Sequence, residues 1–109
     1  MSEFDRTLLK AVDDGLLVLG ESARHVIYHT VERLHYVRRE EIPERLEAFH
    51  EALEALLSAG ARVAEKRIAQ NLCCRIGLSF EDNAGWTLVD YVCHAKKSVE
   101  GGSKGSVEA

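Results

Sequence analysis

The sequence is short of several features that would point to a particular class of protein. Its 109 residues include one proline, and aromatic residues make up 6% of them. Because few prolines leave long helices uninterrupted, this composition is typical of a helical protein. No apolar run approaches the length of about 18 residues that a membrane-spanning helix needs. The start of the chain also lacks the regions of a secretory signal, so we predict a cytoplasmic protein without a membrane partner.

Cysteine is also scarce, and the net charge is negative. The three cysteines are Cys73, Cys74 and Cys93, an odd number with two of them adjacent, which argues against a disulfide framework. They contain no C-x-x-C pair, so a zinc ribbon or a thioredoxin-type motif is not supported. The net charge of −4 argues against sequence-independent binding of nucleic acid, because such binding needs clustered positive charge.

The longest amphipathic stretch, residues 42–77, predicts a helical hairpin. Apolar side chains recur at intervals of three and four on both sides of Gly60, which gives each helix one apolar stripe. The stripes contain Ile42, Leu46, Phe49, Leu53, Leu56 and Leu57 before Gly60, and Ala61, Ala64, Ile68, Leu72 and Ile76 after it. Because neither stripe is stable in water, we expect the two helices to fold back on each other at Gly60.

The same periodicity elsewhere predicts an all-α fold. We expect a compact bundle of about five helices over residues 2–19, 23–35, 43–58, 61–76 and 88–97. The inner face of the second helix is predicted to contain Ala23, Val26, Ile27, Thr30 and Leu34. Residues 1–97 then form one all-helical domain, and residues 98–109, which are rich in glycine and serine, form a flexible, disordered tail.

Local signals predict where some helices begin. Ser22 is a good N-cap for the second helix because its hydroxyl can accept a bond from an unpaired amide. Thr87 and Asp90 fit a capping box at the start of the last helix. Trp86 and Tyr91 then occupy the two positions of a hydrophobic staple around that box.

Glycines predict helix ends and one close contact. Gly20 and Gly77 follow the last periodic residues of the first and fourth helices, so we expect these helices to end there. Gly15 lies inside the first helix, where glycine costs roughly 1 kcal/mol relative to alanine. We therefore expect either a second helix passing close to Gly15 or a bend in the first helix.

Two histidines on the second helix are the candidate metal ligands. His25 and His29 are four residues apart, a spacing that directs two imidazoles to one point, and Glu21 and Glu32 flank them. Two ligands from one helix do not complete a site, and nothing in the sequence requires other ligands to join them. We therefore interpret this face as solvated or partner-facing, and we predict no metal site and no cofactor.

Glu65 is the least expected residue in the apolar stripe of the fourth helix. A carboxylate in that position needs a partner, or it takes up a proton. One interpretation is a buried acid in a functional pocket. The other, which we favour, is a structural glutamate at the edge of the core that is bonded to an arginine, a histidine or a helix end.

The fourth helix carries two further signals. Arg62, Lys66, Arg67 and Arg75 make it the most basic helix, but its spacing from Gly60 does not match a helix-turn-helix, so we favour a solvated face over DNA contact. Its second apolar side, formed by Val63 with the pair Cys73 and Cys74, predicts that the first helix or another subunit covers it. We therefore expect a homodimer.

A set of residues within 9–97 carries a resemblance to a known family. The set comprises Leu19-Gly20-Glu21-Ser22 with Ile27-Tyr28, Glu41-Ile42-Pro43, Phe49 with Leu53, Gly60-Ala61, Glu65-Lys66 with Ile68, Gly77-Leu78, and Asp90-Tyr91-Val92 with Ala95-Lys96. With these residues the chain resembles a small archaeal all-helical family named as an output domain from Nitrosopumilus. The resemblance implies a domain found alone or attached to signalling modules in archaeal cytoplasm, with no assigned catalytic activity and no catalytic residues.

The sequence contains no phosphate loop, nucleophile elbow, zinc-protease motif or dinucleotide fingerprint, so we do not expect an enzyme. We predict a non-enzymatic protein-interaction or signalling output module. The first alternative is a transcription-associated DNA-binding regulator that uses the basic side of helix 61–76. The second is a metal-binding or small-ligand-binding protein that uses His25, His29 or Glu65.

Overall fold

The structure, a computed structural model, describes residues 2–108, with side chains described for residues 2–100. It contains five α-helices: α1 (Glu3–Leu16), α2 (Glu21–His35), α3 (Leu46–Leu57), α4 (Gly60–Ile76) and α5 (Leu88–Glu108). Short 3-10 turns, Leu17–Leu19 and Arg39–Glu41, follow α1 and α2. The described residues form no strand, and the predicted all-α bundle of five helices is confirmed. No helix in this part of the chain has an apolar stretch of membrane-spanning length.

Helix α4 is the centre of the bundle, since it contacts α1, α3 and α5. Helix α2 lies at the side and contacts α1 and α3. The largest fully buried side chains are Phe49, Leu8, Leu16, Ile42, Leu53, Ile68, Leu72 and Leu88. They come from α1, α3, α4, α5 and the turn before α3, so one continuous core joins these elements.

Helices α1 and α4 approach each other closely at Gly15. A Cβ atom added to Gly15 would lie 2.5 Å from Ile68 Cγ1 and 2.7 Å from the Ile68 backbone nitrogen. Of the two explanations expected for a glycine inside α1, the close passage of another helix is therefore the correct one. The contact lies on the main apolar stripe of α4, to which Ile68 belongs. On the second side Cys73 is buried, but Val63 is 56% exposed and Cys74 is exposed, so α1 leaves most of that side uncovered.

The hairpin between α3 and α4 turns at Ser58 instead of Gly60. Ser58 has φ 49° and ψ −121°, a left-handed conformation that a side chain disfavours, whereas Gly60 is already the first residue of α4. Helix α3 also begins at Leu46, later than the predicted residue 43. Because Arg45 has φ −124° and ψ 46°, the segment around Pro43 forms turns before regular helix begins.

Helix α2 differs from the prediction in its start and in its buried face. It begins at Glu21 after Gly20, and Ser22 is not its N-cap. Ile27 is buried as expected, but Val26 is 59% exposed and Leu34 is 64% exposed. The predicted inner face was therefore wrong at these two positions, because α1 and α3 cover only one side of α2.

The predicted end of α4 and the predicted start of α5 are confirmed. The N–H of Leu78 donates to the Cys73 carbonyl at 2.8 Å, and Gly77 has φ 74°, so α4 ends in a glycine cap. At α5, the N–H of Thr87 donates to Asp90 Oδ2 at 2.9 Å. The hydroxyl of Thr87 also points to that carboxylate, so only half of the expected capping box forms.

Helix α5 runs to Glu108, past the end near residue 97 that the sequence predicts. No proline occurs in this stretch, and glycine lowers helix propensity without removing a backbone donor. The side chains of residues 101–109 lie outside the described part of the chain. The flexibility that we expect for the tail 98–109 therefore stays a prediction.

Candidate functional site

The main candidate site is an apolar groove beside α2, which we call the α2 groove. It has a volume of about 510 Å³ and lies between α2, α3 and the turn that follows α1. Its lining consists of Leu19, Ser22, Ala23, Val26, Ile27, Thr30, Leu56 and Leu57. None of these side chains is charged, so the groove is an apolar surface open to solvent.

The exposed apolar surface continues along α2 beyond the groove. Val26, Thr30 and Leu34 follow each other at intervals of four, which places them along one side of a helix. Leu34 does not line the groove and stands out from the helix as a mostly exposed side chain. Exposed apolar side chains on one side of a helix, here Val26 and Leu34 with the half-buried Thr30 between them, are typical of sites that contact another protein.

The second side of α4 offers less apolar surface than α2. Val63 is 56% exposed, but the concavity beside it is also lined by Lys66, Arg67 and Gln70. Cys73 is buried, and burial raises the pKa of its thiol. Since polar side chains surround Val63, the surface best suited to a partner lies on α2 and not on α4.

Glu65 has a structural environment. It is 4% exposed, and its Oε1 accepts a hydrogen bond from the N–H of Leu88 at 3.1 Å. Its Oε2 lies 2.5 Å from His50 Nδ1, and His50 Nε2 lies 3.3 Å from a carboxylate oxygen of Glu54. Leu88 is the first residue of α5, where backbone N–H groups lack helical partners and favour a negative charge. Glu65 is thus bonded to a histidine and a helix end, as the favoured interpretation predicted.

A second concavity, which we call the polar pocket, surrounds Asp13. The Asp13 carboxylate accepts hydrogen bonds from the Tyr28 hydroxyl at 2.5 Å and from Arg39 Nε at 3.0 Å. Burial raises the pKa of Asp13, but the bonds from Arg39 and Tyr28 outweigh that effect and hold the pKa below its usual value. Burial and the adjacent carboxylate raise the pKa of Tyr28. These hydrogen bonds connect Arg39, in the turn after α2, to Asp13 in α1.

The sequence did not predict the polar pocket. Its volume is about 650 Å³, and Arg24 and His25 also line it. Arg24 Nη1 donates to the Asp13 main-chain oxygen at 3.3 Å. Asp13 and Arg39 are 26 residues apart, so no local sequence signal could have identified the pair.

The candidate metal ligands do not converge. His25 and His29 are both exposed on α2, while His50 is bonded to Glu65 and the ring of His94 lies 5.5 Å from that of Trp86. Within residues 2–100, no three His, Cys, Asp or Glu side chains are placed to hold a metal ion. The spacing of His25 and His29 therefore gives no assembled site in this part of the chain.

The basic side of α4 is partly neutralised. Lys66 Nζ donates to Asp82 Oδ2 at 2.9 Å, and Arg75 forms an ion pair with Asp14. The bond from Lys66 holds the pKa of Asp82 below its usual value. Two of the four basic side chains on this helix are thus already paired with acids, which reduces the positive charge available to phosphate groups.

The described residues form a five-helix bundle in which one side of α2 exposes apolar side chains. Comparisons of the chain with known protein families, with curated proteins and with solved structures found no match. The resemblance to the archaeal output-domain family stays a prediction.

Proposed function

We propose that this protein is a non-enzymatic interaction module that works as a homodimer, and that the α2 groove with the exposed side chain of Leu34 forms its interface. The observation that carries the proposal is the exposure of Val26 and Leu34 on a helix whose apolar periodicity would otherwise bury them. This role agrees with the signalling output function that the family resemblance implies.

Covering this surface would stabilise a dimer. Full burial of a valine or leucine side chain is worth about 1.5–3 kcal/mol, so covering the exposed part of Val26 or Leu34 contributes about 1 kcal/mol each. In a two-fold symmetric dimer every contact occurs twice. The two side chains therefore contribute about 4 kcal/mol in total, before the other groove residues are considered.

A second copy of the chain fits this surface because the groove has no charged lining. A charged surface would repel its own copy, whereas an apolar one is compatible with itself. The surface along α2 has a concave part, the groove that Val26 lines, and a projecting side chain, Leu34. Two copies can thus fill each other's grooves.

Sedimentation velocity over a range of concentrations up to the millimolar tests the proposal. We expect the wild-type protein to dimerise and Val26→Glu, which places a charge in the groove, to be monomeric at concentrations where the wild type is dimeric. Val63→Glu on α4 is the matched control, since it changes a valine of similar exposure outside the groove, and it should remain dimeric. A monomeric wild type, or loss of the dimer in Val63→Glu alone, would contradict the proposal.

The polar pocket favours a second candidate function, the binding of a small anion. Within residues 2–100 the Arg24 guanidinium donates one hydrogen bond to the protein, and His25 is exposed beside it. Titration with inorganic phosphate, followed by NMR, should give saturable shifts at these two residues that Arg24→Ala abolishes. Equal shifts in both proteins would contradict this function.

A further inference from the structure

The structure of α2 also indicates how the two copies pair. Building on the proposed homodimer, we infer that the α2 helices of the two subunits pack antiparallel, with Thr30 on the two-fold axis. In this arrangement Val26 of each subunit faces Leu34 of the other, and each Leu34 enters the α2 groove of its partner.

The spacing of the exposed residues sets the register. At a rise of about 1.5 Å per residue, Val26 and Leu34 lie about 6 Å on either side of Thr30 along the helix axis. An antiparallel two-fold axis through Thr30 therefore brings Val26 opposite Leu34 at both ends of the contact. Residues at intervals of four also form the ridge that most often packs into the groove of a neighbouring helix.

The groove has room for the leucine side chain that this register supplies. Leu19, Leu56 and Val26 are among the residues that line the groove of about 510 Å³. Leu34 projects from the same helix but outside the groove, so it cannot fill the groove of its own subunit. If each subunit inserts its Leu34 side chain into the groove of the other, both grooves are filled, as side-chain knobs fill holes between paired helices.

Charge selects the antiparallel orientation. Arg33 is exposed next to Leu34, and a parallel pair would place the two Arg33 guanidinium groups side by side. In the antiparallel pair the two Arg33 positions lie about 9 Å apart along the axis, and the helix dipoles oppose each other.

A charge-pair experiment on the full chain tests the orientation. The variants are Val26→Glu, Leu34→Lys and the double variant with both changes, and sedimentation equilibrium at low salt gives the dimer dissociation constant of each. Each single change should weaken the dimer about tenfold or more, because a charge then faces an apolar side chain. The double variant should dimerise at least about tenfold more tightly than either single variant, since opposite charges then face each other. Added salt should reduce this rescue.

The possible outcomes separate this inference from the proposed function. A double variant that is weaker than both single variants would overturn antiparallel pairing, because in a parallel pair each new charge meets its own copy. If the wild type is dimeric and none of the three changes affects its dissociation constant, the interface does not include α2 and the inference is wrong. A monomeric wild type would refute the homodimer itself. Far-UV circular dichroism and the melting temperature verify that every variant is folded, which the exposure of both positions leads us to expect.

Discussion

The close contact between α1 and α4 predicts that Gly15→Ala destabilises the protein. The added Cβ would lie 2.5 Å from Ile68 Cγ1, 2.7 Å from the Ile68 nitrogen and 2.8 Å from the Ile68 Cα. A change of the Ile68 rotamer can move the first of these atoms but not the other two. The helices must therefore separate around Gly15, in the part of the core where both are buried.

The expected magnitude is the balance of two terms. Forcing an extra carbon into a packed core costs about 1–3 kcal/mol, and contact with backbone places this case at the upper end of the range. Replacing glycine inside a helix returns about 1 kcal/mol through higher helix propensity. The net loss of stability is then about 2 kcal/mol, which lowers the melting temperature of a domain of this size by about 10 °C.

Urea and thermal unfolding, followed by circular dichroism, measure this loss. Gly60→Ala is the matched control because the nearest atom to its added Cβ is Leu57 Cβ at 3.7 Å, an ordinary contact. It should leave stability unchanged or raise it by up to about 1 kcal/mol. If Gly15→Ala is as stable as the wild type or more so, α1 and α4 do not meet at Gly15 as described.

Three further outcomes are expected from unfolding measurements. Glu65→Ala should lower the unfolding free energy by about 3 kcal/mol, because it leaves the buried N–H of Leu88 without its acceptor and removes the hydrogen-bond partner of His50. A loss below about 1 kcal/mol, the worth of an ordinary surface contact, would contradict this role. Ser58→Gly should raise stability by about 1 kcal/mol in thermal unfolding, since glycine adopts the left-handed conformation at this turn without strain; a loss would argue against that conformation. Because the folded pKa of Asp13 lies below its unfolded value, its bond with Arg39 stabilises the protein above about pH 4 and this contribution fades as the pH falls through the folded pKa. Unfolding free energies from neutral pH to pH 2 should show a smaller acid loss in Asp13→Asn, and an identical pH profile would refute the assignment.

Several elements could be predicted because their cause is local. The apolar periodicity of α3 and α4 lies within single helices, and burial of such a stripe is needed wherever the helix packs. Gly77 ends α4 because the residue after a helix often needs a positive φ, which glycine adopts easily. Glu65 could be recognised as a residue in need of a partner because it interrupts an apolar stripe. Its particular partners, His50 and Leu88, come from two other helices.

Other features depend on how the helices pack. Val26 and Ile27 are adjacent apolar residues that belong to one broad stripe, and periodicity does not tell which edge of the stripe faces the core. The position of α2 at the side of the bundle buries Ile27 and leaves Val26 exposed. The polar pocket likewise requires Asp13 and Arg39, from distant parts of the chain, to meet after folding.

The sequence by itself determined that the chain forms helices, and it indicated where several of them end, because propensity, glycine and periodicity act within a few residues. The turn at Ser58, the partners of Glu65 and the exposed face of α2 were decided only by the tertiary structure. These features depend on contacts between segments far apart in the chain, and the packing of whole helices selects which side chains meet and which remain open to a partner.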